Sequence, residues 1–138
     1  MPWESLEIRG LYRLAGRDVV PEPSFMEWAA WRGHADCTVR RTNVSKPGMS
    51  HPTLISTVFI GVDLGCKDGE LPLVFETMIF VGGRASGSQW RRSTWEDAEA
   101  CHDDAVAMAT AAAMATGSEG VEVHDVPSPS SGQSGPTA

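Results

Sequence analysis

Three residues carry the sharpest chemical pattern in this chain: Asp63, Glu76 and His102. Glu76 stands in an apolar, β-rich run, PLVFETMIFV, with Val74, Met78 and Phe80 around it. A carboxylate on such a face is costly to bury unless a partner compensates it. If Phe59 and Glu76 face each other across a hairpin, then Thr57, Gly61 and Asp63 share a sheet face with Glu76 and Met78. A slip of one residue reverses that assignment, because side chains alternate with period two. His102 lies on the apolar stripe of a downstream helix and is the partner expected for Glu76. A carboxylate–imidazole pair suits general acid–base work or a metal. The plainer readings are a polar residue on the solvent face, or a structural pair pinning the helix to the sheet, and these are favoured. No residue is assigned as catalytic.

The remaining candidates are weaker. His34 and Cys37 have HxxC spacing, and Cys66, Cys101 and His102 could add ligands. One loose pair falls short of the two tight ligand pairs of a structural zinc site, so neither metal nor cofactor is expected. The thiols read as free and buried. Trp28, Trp31, Trp90 and Trp95, with Phe25, are many aromatics for a small domain. At helical spacing they read first as core, with Trp28 in it. Trp90-Arg91-Arg92, seconded by Arg40-Arg41, is a basic–aromatic cluster able to take a phosphate. Trp28, Trp31, Trp90, Arg91 and Arg92 are therefore the candidate interface or ligand residues, against a plainer reading as core tryptophans and ion-paired surface arginines. P-loop, GxGxxG, HExxH and GxSxG signatures do not occur.

Composition narrows the function classes. The 138 residues fit one domain. A net charge of −7 argues against nucleic acid as a partner, since such affinity comes mainly from Lys and Arg on phosphates. It suits a basic partner, mimicry of nucleic acid, or plain solubility, the last being the plainest reading. Cys37, Cys66 and Cys101 form no CxxC pair and leave an odd thiol, which points to a reducing compartment. The opening MPWESLEIRG has no apolar leader run, and no stretch approaches the ~20 apolar residues of a membrane span. The expected location is cytoplasmic, without membrane contact.

The elements that would position these residues follow from pattern. LYRLAGRDVV reads as a strand pair turning at Ala15–Asp18. Ser24 and Glu27 form a capping box opening a short helix, closed by Gly33, with Phe25, Trp28 and Ala29 on one apolar face. CTVRRTNV reads as a half-exposed strand, and Leu54–Asp63 and Leu73–Val81 as the two strongest strands. Gly82-Gly83 and the loop Arg84–Ser88 form a hairpin turn, followed by a weaker strand Gln89–Arg92. Thr94 or Ser93 caps a second helix ended by Gly117, with an acidic first turn and a stripe of Trp95, Ala98, His102, Ala105, Ala109 and Ala112. The expected fold is α+β: an antiparallel meander of four to five strands, packed by one long C-terminal helix and one short Trp-containing helix. Residues 1–10 read as an N-terminal extension, 11–117 as the domain, and 118–138 as a disordered Ser/Pro/Gly-rich tail.

The phrases EWAAW, STVFIGVD, PLVFETMIF and RRSTWEDAEACH, in that order, resemble a family of small uncharacterised proteins of tailed phages and actinobacteria. The resemblance spans Tyr12 to His102. It implies a phage or mobile-element origin and, for a phage protein, the host cytoplasm; it brings no activity. Two departures stand out. Leu64 follows Asp63 where the family often has His, and Cys101 precedes His102 where Gly is frequent. Size, charge and resemblance together lead to a non-enzymatic phage-type protein that binds and modulates a host or phage macromolecule. The alternatives are a nucleotide or small-molecule binding domain, with or without enzymatic activity, and a minor virion component.

Overall fold

The computed structural model describes residues 10–63 and 71–129. β1 (Gly10–Ala15) turns through Gly16 into β2 (Asp18–Pro21), and α1 (Phe25–Arg32) follows. β3 (Thr38–Ser45), β4 (Thr53–Phe59) and the two-residue β5 (Val62–Asp63) come next. β6 (Phe75–Val81) and β7 (Arg84–Arg92) form a hairpin, α2 (Trp95–Met114) is the long helix, and β8 (Glu122–Asp125) is the last strand. The fold is α+β, with all ladders antiparallel. The main sheet has the order β7-β6-β4-β3-β8, and a small sheet has the order β2-β1-β5. The sequential pairing of β3, β4, β6 and β7 is the expected meander.

The local chemistry follows the sequence closely at the caps. Ser24 Oγ accepts from the Glu27 backbone N–H at 3.2 Å, and Thr94 Oγ1 from that of Asp97 at 3.1 Å. Each hydroxyl satisfies one amide that the first helical turn leaves unpaired. At the other end of α2, Lys46 Nζ donates to the carbonyls of Ala113 (2.6 Å) and Gly117 (3.0 Å). A cation there meets the negative end of the helix dipole. Gly82 and Gly83 both have positive φ, +60° and +81°, and form the two-residue turn joining β6 to β7. That backbone matches the twist of a hairpin.

The core lies between α2 and one face of the main sheet. One cluster comprises Cys37, Phe59, Val74, Phe75 and Ala98, and another Val44, Ile55 and Ala105. A run of edge-on rings crosses the first: Trp31–Phe59 at 5.9 Å, Phe59–Phe75 at 5.2 Å, Phe75–Trp95 at 6.2 Å. It ties α1 to α2 through the sheet. Edge-to-face contacts of this kind add about 0.5–1.5 kcal/mol each beyond area burial.

Several expectations are corrected. Leu54–Asp63 is not one strand. Gly61 has φ +73°, and a Cβ there would lie 2.9 Å from the Tyr12 carbonyl oxygen. The chain breaks at this glycine, and β5 crosses to pair with β1. Arg84–Ser88 is strand, not loop. Phe25 does not join the core: it is 63% exposed, and α1 buries no residue fully. Trp28 is half-buried and donates from Nε1 to the Tyr12 carbonyl at 2.9 Å. Residues Glu122–Asp125, read as part of the tail, form a strand paired with β3. Residues 130–138 of the tail, and 1–9 of the N-terminal extension, lie outside the described residues.

The correction that matters most is the register. Phe59 faces Phe75, and Val58 faces Glu76. This is the one-residue slip that moves a whole side-chain set to the opposite face.

Candidate functional site

On α2, Ala98, His102 and Ala105 form a buried stripe together with Cys101. The small alanines let the helix sit close to the sheet, so the imidazole of His102 reaches the strands themselves. His102 is fully buried. Its Nε2 lies 2.8 Å from Thr42 Oγ1 on β3, and its Nδ1 lies 2.7 Å from Thr57 Oγ1 on β4. Thr57 Oγ1 is in turn 2.7 Å from Thr77 Oγ1, directly opposite it on β6. Thr42 Oγ1 donates to Asp125 Oδ1 on β8 at 2.6 Å. Arg40 closes the chain at the surface, bonded to both Asp125 and Asp103.

The proton positions follow by elimination. A hydroxyl has one proton, and that of Thr42 goes to the Asp125 carboxylate. Thr42 therefore accepts from His102 Nε2–H. Nδ1 of the neutral ring is then the acceptor, so Thr57 donates to it and accepts from Thr77. The result is a directed series: Thr77 to Thr57 to His102 to Thr42 to Asp125. Burial first, and the Arg40 charge second, push the His102 pKa down to about 4, outweighing the pull of Asp125 and Asp103. The Asp125 carboxyl is held below its usual range, first by the Thr42 hydroxyl and then by Arg40, against a smaller opposing effect of burial. This arrangement keeps a neutral imidazole sealed from solvent, with both nitrogens engaged. It joins α2, β3, β4, β6 and β8, and it offers no substrate a path to the ring.

Glu76 and His102 stand on opposite faces of the main sheet, so the expected pair does not exist. Glu76 Oε2 instead accepts from Arg91 Nε at 3.2 Å on the outer face. Asp63 belongs to β5 in the small sheet, paired with Gly10, and does not join them. Trp90 turns inward against Val44, Ile55 and Ala105, while Arg91 turns outward and Arg92 bonds the Arg91 carbonyl. Trp28 and Trp31 sit on α1 against β1 and Phe59. The candidate interface residues thus do not form one patch. Cys37 and Cys101 are free and buried, and Cys66 lies outside the described residues. Burial raises the Cys37 pKa despite the nearby Arg32, which makes an inert thiol. Among the described residues no three His, Cys, Asp or Glu side chains converge on a metal position.

The outer face of the main sheet was not singled out from sequence. It presents Leu54, Ser56 and Val58 on β4 and Glu76, Met78 and Phe80 on β6. Among the described elements α2 packs only on the inner face of these strands, where the buried Ile55, Thr57, Phe59, Phe75 and Thr77 lie. At one corner lies a groove of about 780 Å³ between β4, β6, the β6–β7 turn and the segment after β8. Leu54 and Phe80, cross-strand partners, form its floor. Arg41, Asn43 and His51 supply its polar wall. Gly82 is needed here, because a side chain at that position would press on the His51 ring at 3.0 Å. A sequence signal existed: Leu54, Val58, Met78 and Phe80 alternate with a second apolar set in the same strands, the mark of a sheet with two apolar faces.

No protein-family model, no curated protein and no solved structure matches this chain. Among the described residues no helix is long and apolar enough to cross a membrane.

Proposed function

We propose that this chain is a non-enzymatic binding protein of phage type, acting in the host cytoplasm, that engages a host or phage macromolecule through the outer face of its main sheet. The observation that carries this reading is the outer face, where Leu54, Val58, Met78 and Phe80 are partly exposed and no described helix packs, in a protein whose sole described acid–base constellation is sealed in the core. Apolar residues gathered on an accessible face mark sites of interaction with a partner or ligand. The sheet edges are poor alternatives. β7 carries a bulge around Gly87 (φ +97°), and β8 is only four residues long with charged Glu122 and Asp125; both devices discourage strand addition. The small-molecule alternative loses support because its residues scatter: Trp90 faces inward, and Arg91 is tied to Glu76.

The test is affinity capture from a phage-infected actinobacterial lysate with the full chain and with Leu54→Asp, both checked for thermal stability. The reading expects one stoichiometric macromolecule, reduced at least tenfold by the substitution. No stoichiometric capture, or equal capture by a stable Leu54→Asp, would overturn it.

A further inference from the structure

Charge is distributed unevenly over this molecule. The chain has 18 acidic residues against 11 Lys and Arg. Yet among the described residues no carboxylate lines the groove at the Arg41 corner of the outer face. Exposed Glu96, Asp97, Asp103 and Asp104 are gathered on α2, on the opposite side of the sheet. The nearby carboxylate on the same face, Glu76, is already neutralised by Arg91.

Arg41 is different. Its guanidinium is bonded through Nη1 to the Pro127 carbonyl at 2.9 Å and makes no ion pair with any described residue. That bond holds the side chain against the groove wall and leaves its full charge available. Asn43 and His51 add polar groups beside it, over the apolar floor of Leu54 and Phe80. An oriented, unneutralised guanidinium next to an apolar floor suits a carboxylate adjacent to a large apolar side chain.

We infer that this groove binds an acidic peptide segment of a protein partner, one that seats a large apolar side chain on Leu54 and Phe80 and a carboxylate on Arg41. The inference rests on the binding-protein reading above and names the chemistry of its partner. A basic segment would leave Arg41 repelled. A second copy of this chain, docking its acidic α2 here, is distinguishable by mass, because such a head-to-tail contact builds rings or longer assemblies.

The experiment is selection of a displayed random 12-residue peptide library on the full chain, followed by titration of the enriched peptides against variants. The expected peptides combine Asp or Glu with Leu, Phe or Trp. Their affinity falls at least tenfold with Arg41→Glu and with Asn43→Asp, a near-isosteric change that places a carboxylate in the groove. It also falls with rising salt, as screening weakens the exposed contact. Peptides that need Leu54 and Phe80 but are basic or uncharged, and ignore Arg41→Glu, would overturn the acidic-segment inference and leave the face-binding reading standing. Enriched peptides indifferent to Leu54→Asp would overturn both. An empty selection, or concentration-dependent growth of the chain alone in sedimentation, would overturn the inference.

Discussion

Thr57 and Thr77 stand directly opposite one another on β4 and β6, their hydroxyl oxygens 2.7 Å apart, and the first of them donates to Nδ1 of His102. The polar centre of this protein is therefore built from threonines and not from the Glu76 carboxylate. Thr57→Val keeps the shape and the β-branched stem but removes the hydroxyl between Thr77 and His102. Leaving the imidazole nitrogen without a donor should cost about 1–3 kcal/mol, read from urea denaturation at pH 7.

Acid should destabilise the fold through His102. Its folded pKa is about 4 against 6.5 in the unfolded chain. Between those values the unfolded state binds a proton that the folded state does not, so stability falls as pH drops from about 6.5 to about 4 and this contribution levels off below. A shift of that size corresponds to roughly 3 kcal/mol at most. Asp125, with its folded pKa depressed, loses its contribution in the same direction at still lower pH. Denaturation curves across pH 4–7 should show the slope, and His102→Leu should flatten it between 4 and 6.5. Nitrogen NMR of the parent should find a neutral ring protonated on Nε2 at pH 7.

Glu76→Gln should matter little. Its partner is Arg91 on the outer face, with 15% and 30% of the two side chains exposed; glutamine keeps a hydrogen-bond acceptor for Arg91 and loses only the charge, a change worth about 1 kcal/mol. A loss above about 2 kcal/mol in the same denaturation assay would mean that Glu76 has a role in the core after all.

Gly61→Ala should be far more damaging. The position has φ +73°, and the added Cβ would press on the Tyr12 carbonyl, the oxygen that also accepts from Trp28. The left-handed conformation alone costs about 1–2 kcal/mol for a non-glycine residue, and displacing the carbonyl adds to it. Calorimetry should show a clear drop in Tm, whereas alanine at Gly83, with open space around it, should cost only the conformational part.

The sequence read best where local chemistry decides. Ser24 and Thr94 cap their helices, Gly82-Gly83 turn the hairpin, and alternation marks β4 and β6. It read worst where two strands had to be aligned. Both faces of β4 and β6 carry apolar residues, so period-two alternation could not say whether Thr77 or Glu76 faces the helix. Thr57, between Ile55 and Phe59, and Thr77, between Phe75 and Ile79, were the available clue that threonine lines the covered face. Glu122–Asp125 escaped notice because all four residues are exposed and sit among Ser and Pro, so the pairing with β3 leaves almost no hydrophobic trace. The Gly61 break was hidden for a related reason: one glycine inside a β-rich run does not announce its φ.

Side-chain oxidation by hydroxyl radicals, compared between the free chain and the chain bound to its captured partner, tests the central claim most directly. Met78 and Phe80 report the outer face, and Met108 and Met114, 54% and 47% exposed, report α2. The account predicts that binding protects Met78 and Phe80 and leaves Met108 and Met114 as reactive as before. Protection of Met108 and Met114 with Met78 and Phe80 unchanged would contradict it.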